Sequence, residues 1–230
     1  MKAHVIENNK TLNADTVIHL LVDKSGSMGA IRKQTVGAIN EYINSLKKDK
    51  VDDKTLINLC FFSKNYSRNC PHGDLSYETV FKANPLEEFK DIELKDFKPD
   101  GGTPLYDAIA KAISDVDEVV DSCKKKPDIL FIIVTDGMEN SSSECTSESV
   151  KNAIATKEND GWTVVYLGAN QDAWAVGGGF GVARANTMSY NAADIGSTMS
   201  NLASATSRYR STKSKASSTG TYKTSEFFDQ

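Results

Sequence analysis

The chain has no run of about 18 apolar residues, the length a helix needs to cross a bilayer. Met1 to Lys10 lacks the charged-then-apolar plan of a secretory signal. These absences predict a soluble, cytoplasmic protein with no membrane contact. Cysteine is sparse: Cys60, Cys70, Cys123 and Cys145 form no CxxC pair and have no partner histidine cluster. That spacing argues against zinc ligation and leaves reduced thiols as the expectation. Histidine is rarer still, at His4, His19 and His72. No internal repeat is present, and neither sign of charge dominates, the formal net charge being -4. The last stretch, Ser207 to Gln230, carries five Lys/Arg against Glu226 and Asp229, a local +3 that leaves -7 on the body.

What is present fits one globular domain with some extra length, since 39% of the 230 residues are apolar and 25% charged. Thr16 to Val22, Leu56 to Phe62, Ile129 to Val134 and Trp162 to Leu167 are nearly continuous apolar runs, the pattern of strands covered on both faces. Between the first two, Ile31, Thr35, Ile39, Ile43 and Leu46 recur at helical spacing over Ala30 to Lys48. Strand, helix and strand make a βαβ unit. Helices are also expected from Thr103 through Val120, over Val150 to Glu158, and over Gly196 to Tyr209. Tyr77 to Phe81 reads as a short edge strand running antiparallel to the second, and Val182 to Met188 as a final edge strand. The predicted fold is α/β, three-layered, with a mainly parallel central sheet, one antiparallel edge strand and helices on both faces. Residues 1–14 are expected to be an N-terminal extension and 15–209 the domain. The remainder, 210–230, reads as a polar, basic tail: disordered over Arg210 to Gly220, with Phe227 and Phe228 at a fraying end.

The stretch Val17 to Gly29 runs from an apolar strand into a loop bearing Asp23, Ser25 and Ser27 at alternate positions. Three oxygen side chains suit a hard cation such as Mg²⁺, but they cannot fill about six coordination positions. Ligands in parallel sheets gather beyond the carboxyl ends of strands, and two further loops lie at equivalent places. One is Thr135-Asp136-Gly137. The other is Pro99-Asp100-Gly101-Gly102-Thr103-Pro104, with Thr103 at a helix start. Each has an ordinary reading: Thr103 as an N-cap ahead of a proline, Thr135 to Gly137 as a strand-ending turn, and Asp23 to Ser27 as a turn with a capping serine.

Asp23-Lys24-Ser25-Gly26-Ser27 resembles the DxSxS signature of von Willebrand factor type A (VWA) domains. Gly102-Thr103-Pro104-Leu105-Tyr106-Asp107 and Thr135-Asp136-Gly137 are similar to the family's second and third metal-loop motifs, in the family's order. The resemblance spans roughly Thr16 to Tyr209 and departs at no ligand position. It implies a Rossmann-like VWA fold with a metal-ion-dependent adhesion site, in which Asp23, Ser25, Ser27, Thr103 and Asp136 hold Mg²⁺ or Mn²⁺. Some of these oxygens, typically those of the acids, would act through water. Thr135 to Asn140 and Gly161 to Ala173 further resemble small stand-alone bacterial and phage members.

The implied function is cation-dependent capture of a carboxylate offered by another protein, with an AAA-type ATPase or its client as one analogous partner. A metal-dependent hydrolase or phosphatase is a rival. It is disfavoured because Ser25 stands where an aspartyl-phosphate site would place a second acid, and no histidine falls in the three loops. Nucleotide binding has only weak signals. Gly26-Ser27-Met28-Gly29 lacks the following Lys-Ser/Thr, and Val176 to Gly181 does not directly follow a strand; it reads as a flexible connection. Nucleic-acid binding would rest on Arg208, Arg210, Lys213, Lys215 and Lys223 with Tyr209 and Tyr222; a solvated tail accounts for the same residues.

Overall fold

A computed structural model describes residues 11–49, 51–67, 70–169, 173–191, 194–216 and 226–228. Six strands form one sheet: β1 (Thr16–Asp23), β2 (Thr55–Ser67), β3 (Cys70–Pro85), β4 (Asp128–Thr135), β5 (Thr163–Ala169) and β6 (Thr187–Tyr190). Their spatial order is β3-β2-β1-β4-β5-β6. Only β3 is antiparallel to its neighbour. The helices are α1 (Arg32–Lys48), α2 (Leu105–Asp121), α3 (Ser147–Asn159), α4 (Ala173–Gly179) and α5 (Ile195–Ala216). The mainly parallel, helix-covered sheet is the architecture the apolar runs predict.

Side-chain alternation along β1 divides the core. Ile18, Leu20 and Val22 point to one face, where Ile39 and Ile43 of α1 and Met199 and Leu202 of α5 cover them. Val17 and Leu21 face the other way, toward Ile109 and Val116 of α2 and Ile154 of α3. The chain leaves β1 toward β2 and β3, then returns to place β4 on the other side of β1. The strand order therefore reverses between β1 and β4, and in such sheets the crevice beyond the carboxyl ends at that reversal is where ligands bind.

The periphery differs from the sequence expectation. The edge strand expected at Tyr77 to Phe81 is the sixteen-residue β3. Its outer part, Asp74 to Thr79, pairs with Asn65 to Cys60 of β2, a ladder held by backbone hydrogen bonds that apolar patterning cannot reveal. The last strand is displaced from Val182–Met188 to Thr187–Tyr190, and the glycine-rich Val176 to Gly179 is helical rather than a flexible link. A Cβ at Gly177 would meet Thr187 at 3.1 Å and Tyr166 at 3.4 Å. Glycine thus lets α4 lie close on β5 and β6, and packing overrides its poor helix propensity.

Both termini of the domain are also corrected. Leu12, assigned to an extension, bridges to Cys123, and Ala14 is buried. Arg210, expected to begin a disordered tail, lies within α5 and is buried. Its guanidinium donates to Asp53 at 2.6 and 3.1 Å and to the Leu46 carbonyl at 3.1 Å. Helix α5 then runs to Ala216; residues 217–220 of the expected disordered stretch lie outside the described residues. Phe227 does not fray: it packs near Tyr209, and its N–H donates to the Asn186 side-chain oxygen at 2.8 Å. Among the described residues no helix is long and apolar enough to cross a membrane.

His19 is a discordant residue in the centre of the sheet. Its ring stacks on Phe131 at 5.1 Å, and neither nitrogen has a hydrogen-bond partner. Burial holds its pKa down to about 3. The unfolded chain, with a histidine near 6.5, then binds the extra proton. Stability is full above that value and is lost as pH falls toward 3, by about 1.4 kcal/mol per unit. Urea midpoints at pH 7 and pH 4.5 should show this loss reduced in His19→Leu; an equal loss in both proteins would refute the assignment.

Candidate metal centre

Asp23 ends β1 at the crevice and is 0% exposed. Two neutral donors hold its carboxylate: the Ser25 N–H reaches Oδ1 at 2.7 Å and the Thr135 hydroxyl reaches Oδ2 at 2.6 Å. The adjacent Lys24 brings no countercharge, because its ammonium pairs with Glu78 on β3. Burial therefore outweighs the hydrogen bonds and pushes the Asp23 pKa up to about 6. Asp136 follows β4 directly, and its carboxyl is also raised, chiefly by burial. The Ser27 hydroxyl donates to Asp136 Oδ1 at 2.7 Å and stands 3.1 Å from the Ser25 hydroxyl.

Backbone hydrogen bonds bring the second loop over the first. Asp100 N–H donates to the Lys24 carbonyl, Gly26 N–H to the Gly101 carbonyl, and Lys64 N–H to the Gly102 carbonyl, each at 2.9 Å. Gly101 has φ 72°, and a Cβ there would stand 1.7 Å from the Lys64 carbonyl oxygen. Only glycine permits that crossing.

Thr103 follows, and its role differs from the capping reading. The N-cap position of α2 is Pro104, with no side-chain cap bond. The threonine hydroxyl instead turns to the crevice. A Cβ built on Gly137 would lie 3.1 Å from Thr103 Oγ1 and 3.8 Å from both Asp23 Oδ2 and Ser27 Oγ. All five residues expected at the site thus come together at the switch point. Motif reading alone did not assign roles to Thr135, which anchors Asp23, or to Asn140, whose side-chain oxygen accepts the Thr103 N–H at 2.9 Å. Both stand in or beside the quoted motif, which was the available signal.

The donor set is two carboxylates and three hydroxyls. Among the described residues no group of three or more His, Cys, Asp or Glu is placed to hold an ion. Oxygen-only donors fit a hard cation such as Mg²⁺ or Mn²⁺ and not a zinc centre. The bare Cα of Gly137 leaves room beside those oxygens.

The family model for the von Willebrand factor type A domain matches residues 18–203. The chain belongs to this family. No curated protein matches it. Solved structures similar to this VWA domain include the pilus adhesin SpaC from Lactobacillus rhamnosus GG, in its open conformation, at 14% identity and TM-score 0.63 over 87% of this chain and 31% of the adhesin. Proximal thread matrix protein 1 from the mussel byssus matches at 13% identity and TM-score 0.59, over 81% of this chain and 46% of that one. Manganese-loaded TRAP from Plasmodium vivax matches at 16% and 0.52, over 80% and 72%. Identities this low show a shared fold alone, and the chain spans under half the length of the adhesin and byssus proteins.

A cation at this centre would compete with the Asp23 proton. Because burial raises that carboxyl, its ionised form costs stability as pH rises through about 6, and a bound cation would offset the cost. The thermal shift given by Mn²⁺ should therefore be larger at pH 7.5 than at pH 5. It should shrink in Gly137→Ala, whose new methyl crowds Thr103 Oγ1. A Mn²⁺ shift that ignores both pH and this substitution would contradict the site.

Proposed function

We propose that this VWA domain is a divalent-cation-dependent protein-binding module with a metal-ion-dependent adhesion site formed by Asp23, Ser25, Ser27, Thr103 and Asp136. The observation that carries the reading is the convergence of the Thr103 hydroxyl, free of any capping role, with Asp23 and Ser27 around Gly137. A bound Mg²⁺ or Mn²⁺ would supply an electrophilic position that accepts an Asp or Glu carboxylate of a partner. The chain's own part is to hold the oxygens in place. Three of the five donors are neutral hydroxyls and the two carboxylates do no more than balance a divalent ion, so the incoming carboxylate would be drawn to the ion's open coordination position. The domain through the end of α5, residues 1–216, carries a net -3, which opposes an acidic partner only within a Debye length of roughly 8 Å.

A protein partner is favoured by Met138, which stands two residues beyond Asp136 and is 66% exposed. Methionine is enriched in protein interfaces. A cytoplasmic, stand-alone bacterial or phage protein acting on an AAA-type ATPase or its client is the setting the motif resemblance nominates.

The enzyme alternative has less support. His19 is sealed in the core and His72 lies on β3, so neither described histidine serves as a base beside Asp23 or Asp136. The nucleic-acid alternative loses part of its basis as well. Tyr209 is buried, Arg210 is paired with Asp53, and Lys213 donates to Asp128 at 2.8 Å; Tyr222 and Lys223 lie outside the described residues.

Immobilised wild type and Asp23→Ala should be compared for protein capture in Mg²⁺ and in chelator, with matching circular dichroism. Partners retained only by wild type with metal are the expected result. Capture that survives both the substitution and chelation would overturn the reading, and turnover of a phosphate ester would favour the enzyme.

A further inference from the structure

Two acids close to the proposed ligands in sequence have a different occupation. Glu139 lies three residues after Asp136, and Asp107 four after Thr103. Glu139 Oε1 accepts the Ser141 and Ser142 N–H groups at 2.8 and 2.7 Å, and Oε2 accepts the Ser142 hydroxyl at 2.7 Å and the Tyr106 N–H at 3.0 Å. Asp107 Oδ2 accepts the Ser143 N–H at 2.8 Å, and Oδ1 accepts those of Glu144 and Cys145 at 3.1 and 2.7 Å. Every carboxylate oxygen of the pair thus accepts at least one hydrogen bond from the protein.

Their targets explain why they matter. A helix begins with four unpaired N–H groups, and α2 has no side-chain cap of its own. Two of those groups are satisfied from the other loop. The Tyr106 N–H is shared between Glu139 and the Ser142 hydroxyl, and the Asp107 N–H reaches the same hydroxyl at 3.2 Å. Asn140 adds a reciprocal pair, its N–H donating to the Thr103 carbonyl at 3.2 Å while its side-chain oxygen accepts the Thr103 N–H. In return, Asp107 at the start of α2 gathers three amides of the loop. The β4–α3 loop and the start of α2 are thus bonded in both directions.

We infer that Glu139 and Asp107 are positioning residues of the metal centre: they lock the loop carrying Asp136 to the segment carrying Thr103 and so set the spacing of two ligands they do not touch. This rests on the metal reading above. Mg²⁺ and Mn²⁺ sites demand near-octahedral oxygens, and such sites tolerate ligand displacements of only about 0.5 Å. A carboxylate that accepts two or three N–H groups is not replaced by an amide, whose NH₂ faces a donor.

The test uses Mn²⁺ alone, titrated calorimetrically into the full chain as wild type, Glu139→Gln and Asp107→Asn. Melting in chelator and hydrogen exchange of residues 141–145 are measured alongside. Phe227→Ala serves as a destabilised control at the amino end of β6. Expected is a loss of Mn²⁺ affinity of about tenfold or more in both amide variants, the usual effect of outer-shell changes, with faster exchange at 141–145. Affinity in the control should match wild type. Amide variants within twofold of wild type, or a control that loses as much affinity as they do, would overturn the inference while leaving the metal reading intact. Wild type that binds no Mn²⁺ would overturn both.

Discussion

A carboxylate enclosed at the end of a central strand without a cation beside it is the constraint around which this molecule is arranged. Asp23 has no exposed surface, and its two direct hydrogen bonds come from neutral groups, the Ser25 amide and the Thr135 hydroxyl. A pKa lifted from 3.8 to about 6 corresponds to about 3 kcal/mol of unfavourable charge at neutral pH. That tension is local, and a divalent ion among the neighbouring hydroxyls would relieve it. The diversion of Lys24 to Glu78 fits this account, since an ammonium turned toward Asp23 would have neutralised it and removed the demand for a metal.

The sheet makes the arrangement possible. Asp23 ends β1 and Asp136 follows β4, adjacent strands at the reversal of strand order. The third contributor, Thr103, belongs to no strand. It is delivered by a loop that crosses at Gly101, stitched on both sides by backbone hydrogen bonds. The oxygens therefore come from three rigid anchors, and the network of Asn140, Glu139 and Asp107 joins two of them.

Legibility from sequence followed the physical origin of each element. Strands β1, β2, β4 and β5 are covered on both faces, so burial writes itself into their apolar runs. The cluster of oxygen side chains is legible because it is local: Asp23, Ser25 and Ser27 are neighbours in one loop. What escaped depends on contacts distant in the chain. The helical state of the segment ending at Gly179 comes from close packing on Thr187, and the helical course past Tyr209 from Arg210 meeting Asp53. Phe227 looks like a loose end in the sequence because nothing near it announces the Asn186 amide. Thr103 is the instructive case: next to Pro104 it looks like a helix cap, but the first amides of α2 bond Glu139 and Ser142 instead.

The role of this site depends on whether these oxygens hold an ion. Anomalous diffraction at the manganese edge from crystals grown with Mn²⁺ tests this most directly. The prediction is a single strong peak bounded by Asp23, Ser25, Ser27, Thr103 and Asp136, absent from crystals of Asp23→Ala. A crevice with no peak, or manganese bound only elsewhere on the surface, would contradict it.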